Sequence, residues 1–296
     1  MRSSIALGAR LARLPAQIPR RAFATSARCP AAANGNSNGA ALNPRWLSEL
    51  QARIKKCGSL GLQGQQREEL KALQEAVDGQ WLELLAGREG FLTGPGWRGL
   101  DRHTVTWGDQ DAMERPLTRR AGYDSHLNSG ECRQQLTRAG HVNNVVYNKY
   151  AESARFNWLR NFATTIDPTH RDAWEAFMSP RDVGLIMRSM KTDYKFPMAY
   201  PDHVTVLHKI VSEPTYESDY ILLEALLVSD VHRRPAARCF EDIVVYDYKA
   251  ARRTPLKPFM VDRLRETYEA QERSRVEVEG KVQGLLEAVE KLEKAA

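Results

Sequence analysis

Four segments of the chain carry apolar residues at the three- and four-residue spacing of an amphipathic helix. They are Pro44–Lys56, Gln66–Ala86, Asn144–Phe162 and Val261–Lys294. The first two are predicted to pack on the main domain. The predicted helix Val261–Lys294 is rich in Glu and Lys. Its Leu285, Val289 and Leu292 predict either a short apolar contact with a partner or a frayed surface helix.

The helix predicted at residues 144–162 has one continuous apolar face. The residues on that face are Tyr147, Tyr150, Ala151, Ala154, Trp158 and Phe162. Asn143 or Asn144 can cap the start of this helix, because a short amide side chain accepts a hydrogen bond from first-turn backbone N–H groups. We therefore expect a long helix buried along one side.

Strand-forming composition dominates from residue 181 to residue 248. The pattern predicts four strands, at Gly184–Tyr194, His203–Ser212, Tyr216–Asp230 and Arg238–Tyr248. A short strand at Thr104–Trp107 precedes the long helix. One strand, one long helix and four successive antiparallel strands predict an α+β fold with a curved sheet around the helix.

The N-terminal segment carries the chain's excess positive charge. Residues 1–44 contain six arginines and no Asp, Glu or Lys, while the whole chain has a net charge of +6. Spaced arginines among Ile and Leu predict a basic amphipathic helix, so residues 1–27 are interpreted as a presequence directing the protein to the mitochondrial matrix. Residues 28–44 are small and polar and predict a flexible linker.

The remaining composition excludes several classes of function. Because the chain after residue 44 is balanced in charge, a nucleic-acid partner has little electrostatic support. No window approaches the roughly 20 apolar residues that a membrane span requires. Four scattered cysteines without a CxxC pair or a His at ligand spacing predict neither a disulfide framework nor a zinc site.

The main chemical motif is split into two parts. Trp107–Met113 reads WGDQDAM, and Gly140–Tyr147 reads GHVNNVVY. Deleting residues 114–139 places Asp111 four positions, and Asp109 six positions, before His141. The deleted stretch has no apolar period, and we interpret it as a translated intron. The alternative is a genuine surface loop, because loop insertions cost little free energy.

The joined sequence WGDQDAM-GHVNNVVYNKYAESAR resembles the acyl-CoA thioesterases of the hotdog fold, specifically the 4-hydroxybenzoyl-CoA thioesterase-like family and its fungal mitochondrial members. The resemblance implies a hotdog domain at residues 96–262, flanked by a helical extension at 45–95 and a C-terminal helix at 263–296. It implies an acyl-CoA or other acyl-thioester substrate, at least a homodimer, and no bound metal or prosthetic cofactor.

In that family the second acid of the GDxD element is the catalytic carboxylate, which corresponds to Asp111. Asp109 is then a structural partner. Thioester hydrolysis needs a carboxylate that attacks the carbonyl or activates water. It also needs a polarised carbonyl, which the free N–H groups of a helix N-terminus can supply. Gly140–Asn143 lies at such an N-terminus, and Gly140 would let a thioester approach closely.

The other residues of the second half have two possible roles each. His141 either orients the substrate or bonds to the backbone, and Asn143 and Asn144 cap the helix first and contact substrate second. His141 and Asn143 are assigned to the catalytic group with Asp111. Val142 is predicted to contact the substrate. Tyr147 is interpreted as a packing residue near the substrate, and Glu152 faces either the site or a dimer partner.

The interruption keeps a second function open. If residues 114–139 belong to the folded protein, the broken motif favours a non-catalytic acyl-thioester binder or a structural component of a mitochondrial assembly. A dehydratase of the same fold is disfavoured, because GHVNN after GDxD is the thioesterase arrangement. Fold by itself does not decide among these functions.

Overall fold

The computed structural model describes residues 42–43, 45–106 and 140–295. The chain divides into two units after Leu42, and every element below belongs to the second unit. The predicted presequence, most of the predicted linker, Asp109, Asp111 and the segment 114–139 lie outside the described residues.

The described ranges combine α-helices with a single set of strands. The helices are α1 (Trp46–Gly58), α2 (Gln65–Gly79), α3 (Trp81–Ala86), α4 (Asn144–Asn161), α5 (Arg171–Phe177) and α6 (Pro258–Ala295). The strands are β1 (Arg98–Thr104), β2 (Val183–Tyr194), β3 (His203–Ile210), β4 (Tyr220–Ser229), β5 (Arg234–Asp247) and β6 (Arg252–Arg253). The predicted α+β class with additional helices at both ends is therefore confirmed.

The strands form one antiparallel sheet in the order β1-β3-β4-β5-β2, with β6 paired to β5. In this order β2 and β3 are neighbours in sequence but not in the sheet. The connection at residues 195–202 therefore crosses from one edge of the sheet towards the other. The first predicted strand was placed too late, since β1 ends at Thr104 and Val105 and Thr106 follow outside it.

Helix α4 packs against the sheet with the face that the sequence predicted. All six residues of that face are buried. Its first half joins a core cluster containing Val105, Val142 and Met198. Its second half joins a cluster containing Trp174 and Met260. The central helix is thus buried along one face over its whole length.

A glycine in β1 allows this strand to lie directly against α4. A Cβ atom at Gly99 would lie 2.3 Å from the backbone oxygen of Ala154. We expect Gly99→Ala to lower the free energy of unfolding by about 1–3 kcal/mol, because the helix must shift away from the strand. Urea denaturation measures this change.

Gly284→Ala is the matched control, because a Cβ atom at this position in α6 meets nothing within 4 Å. It should raise the free energy of unfolding by about 0.5–1 kcal/mol, the ordinary gain of Ala over Gly in an exposed helix. Equal effects of the two substitutions would contradict the close approach of β1 and α4.

The terminal helices pack on each other. Helices α1, α2 and α3 all contact α6, and the ion pairs Arg53–Glu293 and Lys281–Glu83 cross this contact. Val289 and Leu292 are buried. The sequence hypotheses of a partner seam or a frayed helix are therefore wrong, because the chain's own N-terminal helices cover this face.

Two predicted boundaries also differ from the structure. The predicted helix Gln66–Ala86 is two helices separated at Gln80. The predicted helix Val261–Lys294 begins three residues earlier, because α6 runs without a break from Pro258. Hydrophobic spacing does not mark such boundaries sharply, because adjacent helices share one buried face.

Across the described ranges, no helix is both long and apolar enough to cross a membrane. The same ranges contain no group of three or more His, Cys, Asp or Glu side chains that could hold a metal ion. Within them Cys57 and Cys239 are free thiols, and both are buried.

Candidate functional site

The site is built around the N-terminus of α4. Asn143 has extended backbone angles, and its side-chain oxygen accepts a hydrogen bond from the Val145 N–H at 3.0 Å. The predicted cap is therefore confirmed at Asn143. A capped helix start keeps its remaining N–H groups and its positive dipole end in a fixed direction, which favours an anion or a developing oxyanion there.

Gly140 and His141 form the approach to this helix. Gly140 is exposed and has a φ of +42°, a left-handed conformation that glycine adopts without steric cost. His141 is half-buried, and its Nδ1 lies 3.0 Å from the carbonyl oxygen of Val142. This contact corresponds to the second predicted role of His141, a hydrogen bond to the backbone.

Val142 and Tyr147 anchor the helix start. The Val142 N–H donates to the Met198 carbonyl at 2.7 Å, and the Val142 side chain is buried in the core. The Tyr147 hydroxyl accepts from the Met198 N–H at 2.8 Å and lies 3.4 Å from the Phe196 carbonyl oxygen. Burial raises the pKa of the Tyr147 phenol, so this hydroxyl stays protonated at neutral pH.

Asn144 and Glu152 lie on the open side of α4. Both are exposed. The Asn144 carbonyl accepts a hydrogen bond from the Tyr194 hydroxyl at 3.0 Å, and the Tyr194 ring packs edge-on against Tyr147 at 5.5 Å between centroids. Tyr194 is therefore a wall of the site that the sequence did not indicate.

Asn148, one turn further along α4, meets Thr192 of β2 and Cys239 of β5, and this cluster was also not predicted. The Thr192 hydroxyl donates to the Asn148 side-chain oxygen at 2.6 Å and lies 3.4 Å from the Cys239 sulfur. Burial raises the pKa of the Cys239 thiol to about 11. This thiol is consequently not a nucleophile at neutral pH. No local pattern marks these residues, since they come together only across the sheet.

The described residues on either side of the gap at 107–139 hydrogen-bond to the same connection, residues 195–202. The Val105 N–H, just after β1, donates to the Asp202 carbonyl at 2.9 Å, while Val142 bonds Met198 as described. The rings of His103 and Tyr150 also meet edge-on at 5.6 Å. The chain therefore leaves β1 and re-enters at α4 in one neighbourhood, and Asp109 and Asp111 belong to the segment between these points.

An apolar cavity of about 230 Å³ lies beside the second half of α4. Its lining residues are Arg155, Phe156, Leu159, Phe177, Met178, Ser179, Pro180, Leu185, Met187, Ile243 and Tyr248. Arg155 is held by the buried Glu241 at 2.8 Å. Twelve residues separate Asn143 from Arg155, which corresponds to about 18 Å along the helix.

The profile of the thioesterase-like superfamily matches residues 105–264, more than half of the chain. A search of curated proteins found no significant match. A solved thioesterase from Thermus thermophilus in complex with coenzyme A and Zn is 22% identical, covering 61% of this chain and 98% of that chain with a TM-score of 0.37.

Two further solved structures are similar. A hypothetical protein from Staphylococcus aureus in complex with CoA is 14% identical over 45% of this chain and 75% of that chain, with a TM-score of 0.36. A probable thioesterase from Escherichia coli is 16% identical over 50% of this chain and 94% of that chain, with a TM-score of 0.35. With the family match over residues 105–264, the chain belongs to the thioesterase-like superfamily and has its hotdog fold.

Proposed function

We propose that the protein is an acyl-CoA thioesterase that hydrolyses an acyl thioester to the free acid and coenzyme A. The observation that carries this proposal is that Val105, two residues before the first motif half, and Val142, in the second half, hydrogen-bond to one connection beside a capped helix N-terminus. In this proposal Asp111, which lies between Val105 and Val142 in the chain, acts at the start of α4. The family membership of the chain supports the same reaction class.

In the proposed reaction, Asp111 attacks the thioester carbonyl or removes a proton from the attacking water. The negative charge that develops on the carbonyl oxygen is stabilised by N–H groups at the start of α4. The carbon–sulfur bond then breaks, and the sulfur leaves as the thiol of coenzyme A after taking up a proton. When water attacks, its oxygen becomes part of the carboxylic acid that is released. When Asp111 attacks, water then hydrolyses the acyl–aspartate anhydride, which releases the carboxylic acid and restores the Asp111 carboxylate.

The apolar cavity beside α4 is proposed to hold the far end of the acyl group. Its distance from the helix start suits a long-chain substrate. We expect Met187→Trp to lower kcat/KM for a hexadecanoyl thioester by about tenfold or more, because the larger side chain fills the cavity that such a chain would bury. The hexanoyl thioester should be affected much less, and equal losses for both would contradict this assignment.

The type of thioesterase and its location in the cell are proposed from the resemblance of the joined motif to that family. We propose that the enzyme is of the 4-hydroxybenzoyl-CoA thioesterase-like type, as in fungal mitochondria, and that residues 1–27 direct it to the matrix. An import assay with and without these residues tests the location.

A homodimer is supported by the edge strand β2, where Ile186 and Tyr194 are exposed. Light scattering measures the mass of the assembly in solution.

The segment at residues 114–139 supports a second candidate, a non-catalytic acyl-thioester binder. Tryptic peptides of the endogenous protein distinguish the two. A peptide that joins Met113 directly to Gly140 would mean that the motif is continuous and would favour the enzyme. Peptides from the segment itself, with a peptide starting at Ala139, would favour the binder unless hydrolysis is measured directly.

A further inference from the structure

A cavity of about 240 Å³ on the surface is rich in arginine. Its lining residues are Arg45, Leu47, Ser48, Leu85, Arg233 and Arg234. The helical extension contributes Arg45, the turn between β4 and β5 contributes Arg233, and the first residue of β5 is Arg234. The cavity therefore combines a part of the chain outside the family match, which begins at residue 105, with a part inside it.

The cavity has an excess of positive charge. Arg233 is paired with Asp78. Among the described residues, no carboxylate forms an ion pair with the guanidinium group of Arg45 or Arg234. Arg234 instead lies over the ring of Phe196, 4.4 Å from its centroid. Guanidinium groups bind phosphate oxygens in a bidentate manner, so this pocket is suited to a phosphate-bearing ligand.

The arginine pocket lies at the same end of the sheet as the candidate active site. Phe196 links the two, because its ring contacts Arg234 while its carbonyl oxygen lies 3.4 Å from the Tyr147 hydroxyl. The ring of His232 also packs against Phe196, at 4.8 Å between centroids. Arg234 and Tyr147 are therefore connected through a single residue, Phe196.

We propose that Arg45 and Arg234 bind the phosphate groups of the coenzyme A portion of the substrate, with Arg233 supporting them. This inference rests on the proposed function and makes it more specific. It assigns to the helical extension a role in selecting thioesters of coenzyme A over thioesters without nucleotide phosphates.

The test compares two thioesters with the same acyl group, octanoyl-CoA and octanoyl-N-acetylcysteamine, which has no phosphate. In the double variant Arg45→Ala/Arg234→Ala, we expect KM for octanoyl-CoA to rise about tenfold per arginine removed, since each loses a charge-assisted hydrogen bond. The rise for the N-acetylcysteamine ester should be at least tenfold smaller. Octanoyl-3′-dephospho-CoA shows whether the 3′-phosphate or the diphosphate is bound.

Arg273→Ala is the matched control, since Arg273 is exposed on α6 and far in sequence from the pocket. It should leave KM for both esters as in the unchanged protein, and circular dichroism checks that the variants fold. Equal changes for the two esters, or no change for octanoyl-CoA in the double variant, would overturn the proposal.

Direct binding separates this proposal from the proposed function. If the unchanged protein hydrolyses neither ester, the thioesterase assignment fails, and titration calorimetry with free coenzyme A still tests the pocket. Weaker binding of coenzyme A by the double variant than by Arg273→Ala would support the arginine pocket. Equal binding by both variants would reject it.

Discussion

Replacing Asp111 with Asn should lower kcat for acyl-CoA hydrolysis by about 10²–10⁴-fold, the usual contribution of a positioned acid or base. The amide keeps the shape of the side chain but neither attacks the carbonyl nor accepts a proton from water. Release of free thiol from an acyl-CoA measures the rate. KM should change much less than kcat, because the lost interaction acts on the reaction step.

Asp109→Asn is the matched control for this substitution. It changes the neighbouring acid of the same GDxD element, which the resemblance implies is structural. We expect a smaller loss of kcat than for Asp111. Unchanged hydrolysis by Asp111→Asn, with intact circular dichroism, would reject Asp111 as the catalytic carboxylate and leave the non-catalytic binder as the better interpretation.

The second large effect concerns stability. Glu241→Ala should lower the free energy of unfolding by about 3–5 kcal/mol, because it leaves the buried guanidinium of Arg155 without its partner. Glu241 is 2% exposed and Arg155 is 8% exposed, and their side chains are 2.8 Å apart. The other Glu241 oxygen lies 3.6 Å from the Nε2 atom of the buried His208. Urea denaturation gives the change directly.

Glu293→Ala provides the comparison, since Glu293 forms a similar ion pair with Arg53 in a partly exposed position. Loss of this ion pair should lower the free energy of unfolding by only about 0–1 kcal/mol. The double variant Arg155→Met/Glu241→Leu should recover most of the stability, because two apolar side chains need no partner in the core. A loss below about 1 kcal/mol for Glu241→Ala would mean that water reaches this pair.

Local sequence patterns were sufficient for the order of most elements. The face of α4 and its cap at Asn143 depend on residues within one or two turns, so helical spacing and a capping side chain predict them. The four later strands follow from runs of β-branched and aromatic residues between turns. The break between α2 and α3 and the position of β1 were not predicted correctly, because short apolar runs fit several registers.

The candidate site was predicted only in part. The sequence placed Gly140, His141 and Asn143 at a helix start because they are adjacent in the chain. It did not indicate Tyr194, which lies 50 residues from its hydrogen-bond partner Asn144. A site residue that comes from a distant strand cannot be recognised from the residues next to it in the sequence.

Patterns in the sequence were enough to predict the class of fold, the long central helix with its cap, and a motif that indicates thioester chemistry. The packed structure showed that Val105 and Val142 hydrogen-bond to the same connection, at Asp202 and Met198. It also decided that α6 is covered by the N-terminal helices, and that Arg45 lines one pocket with Arg234. The physical reason is that propensity, capping and spacing act between near neighbours, whereas these contacts join segments far apart in the chain and form only when the sheet and helices pack.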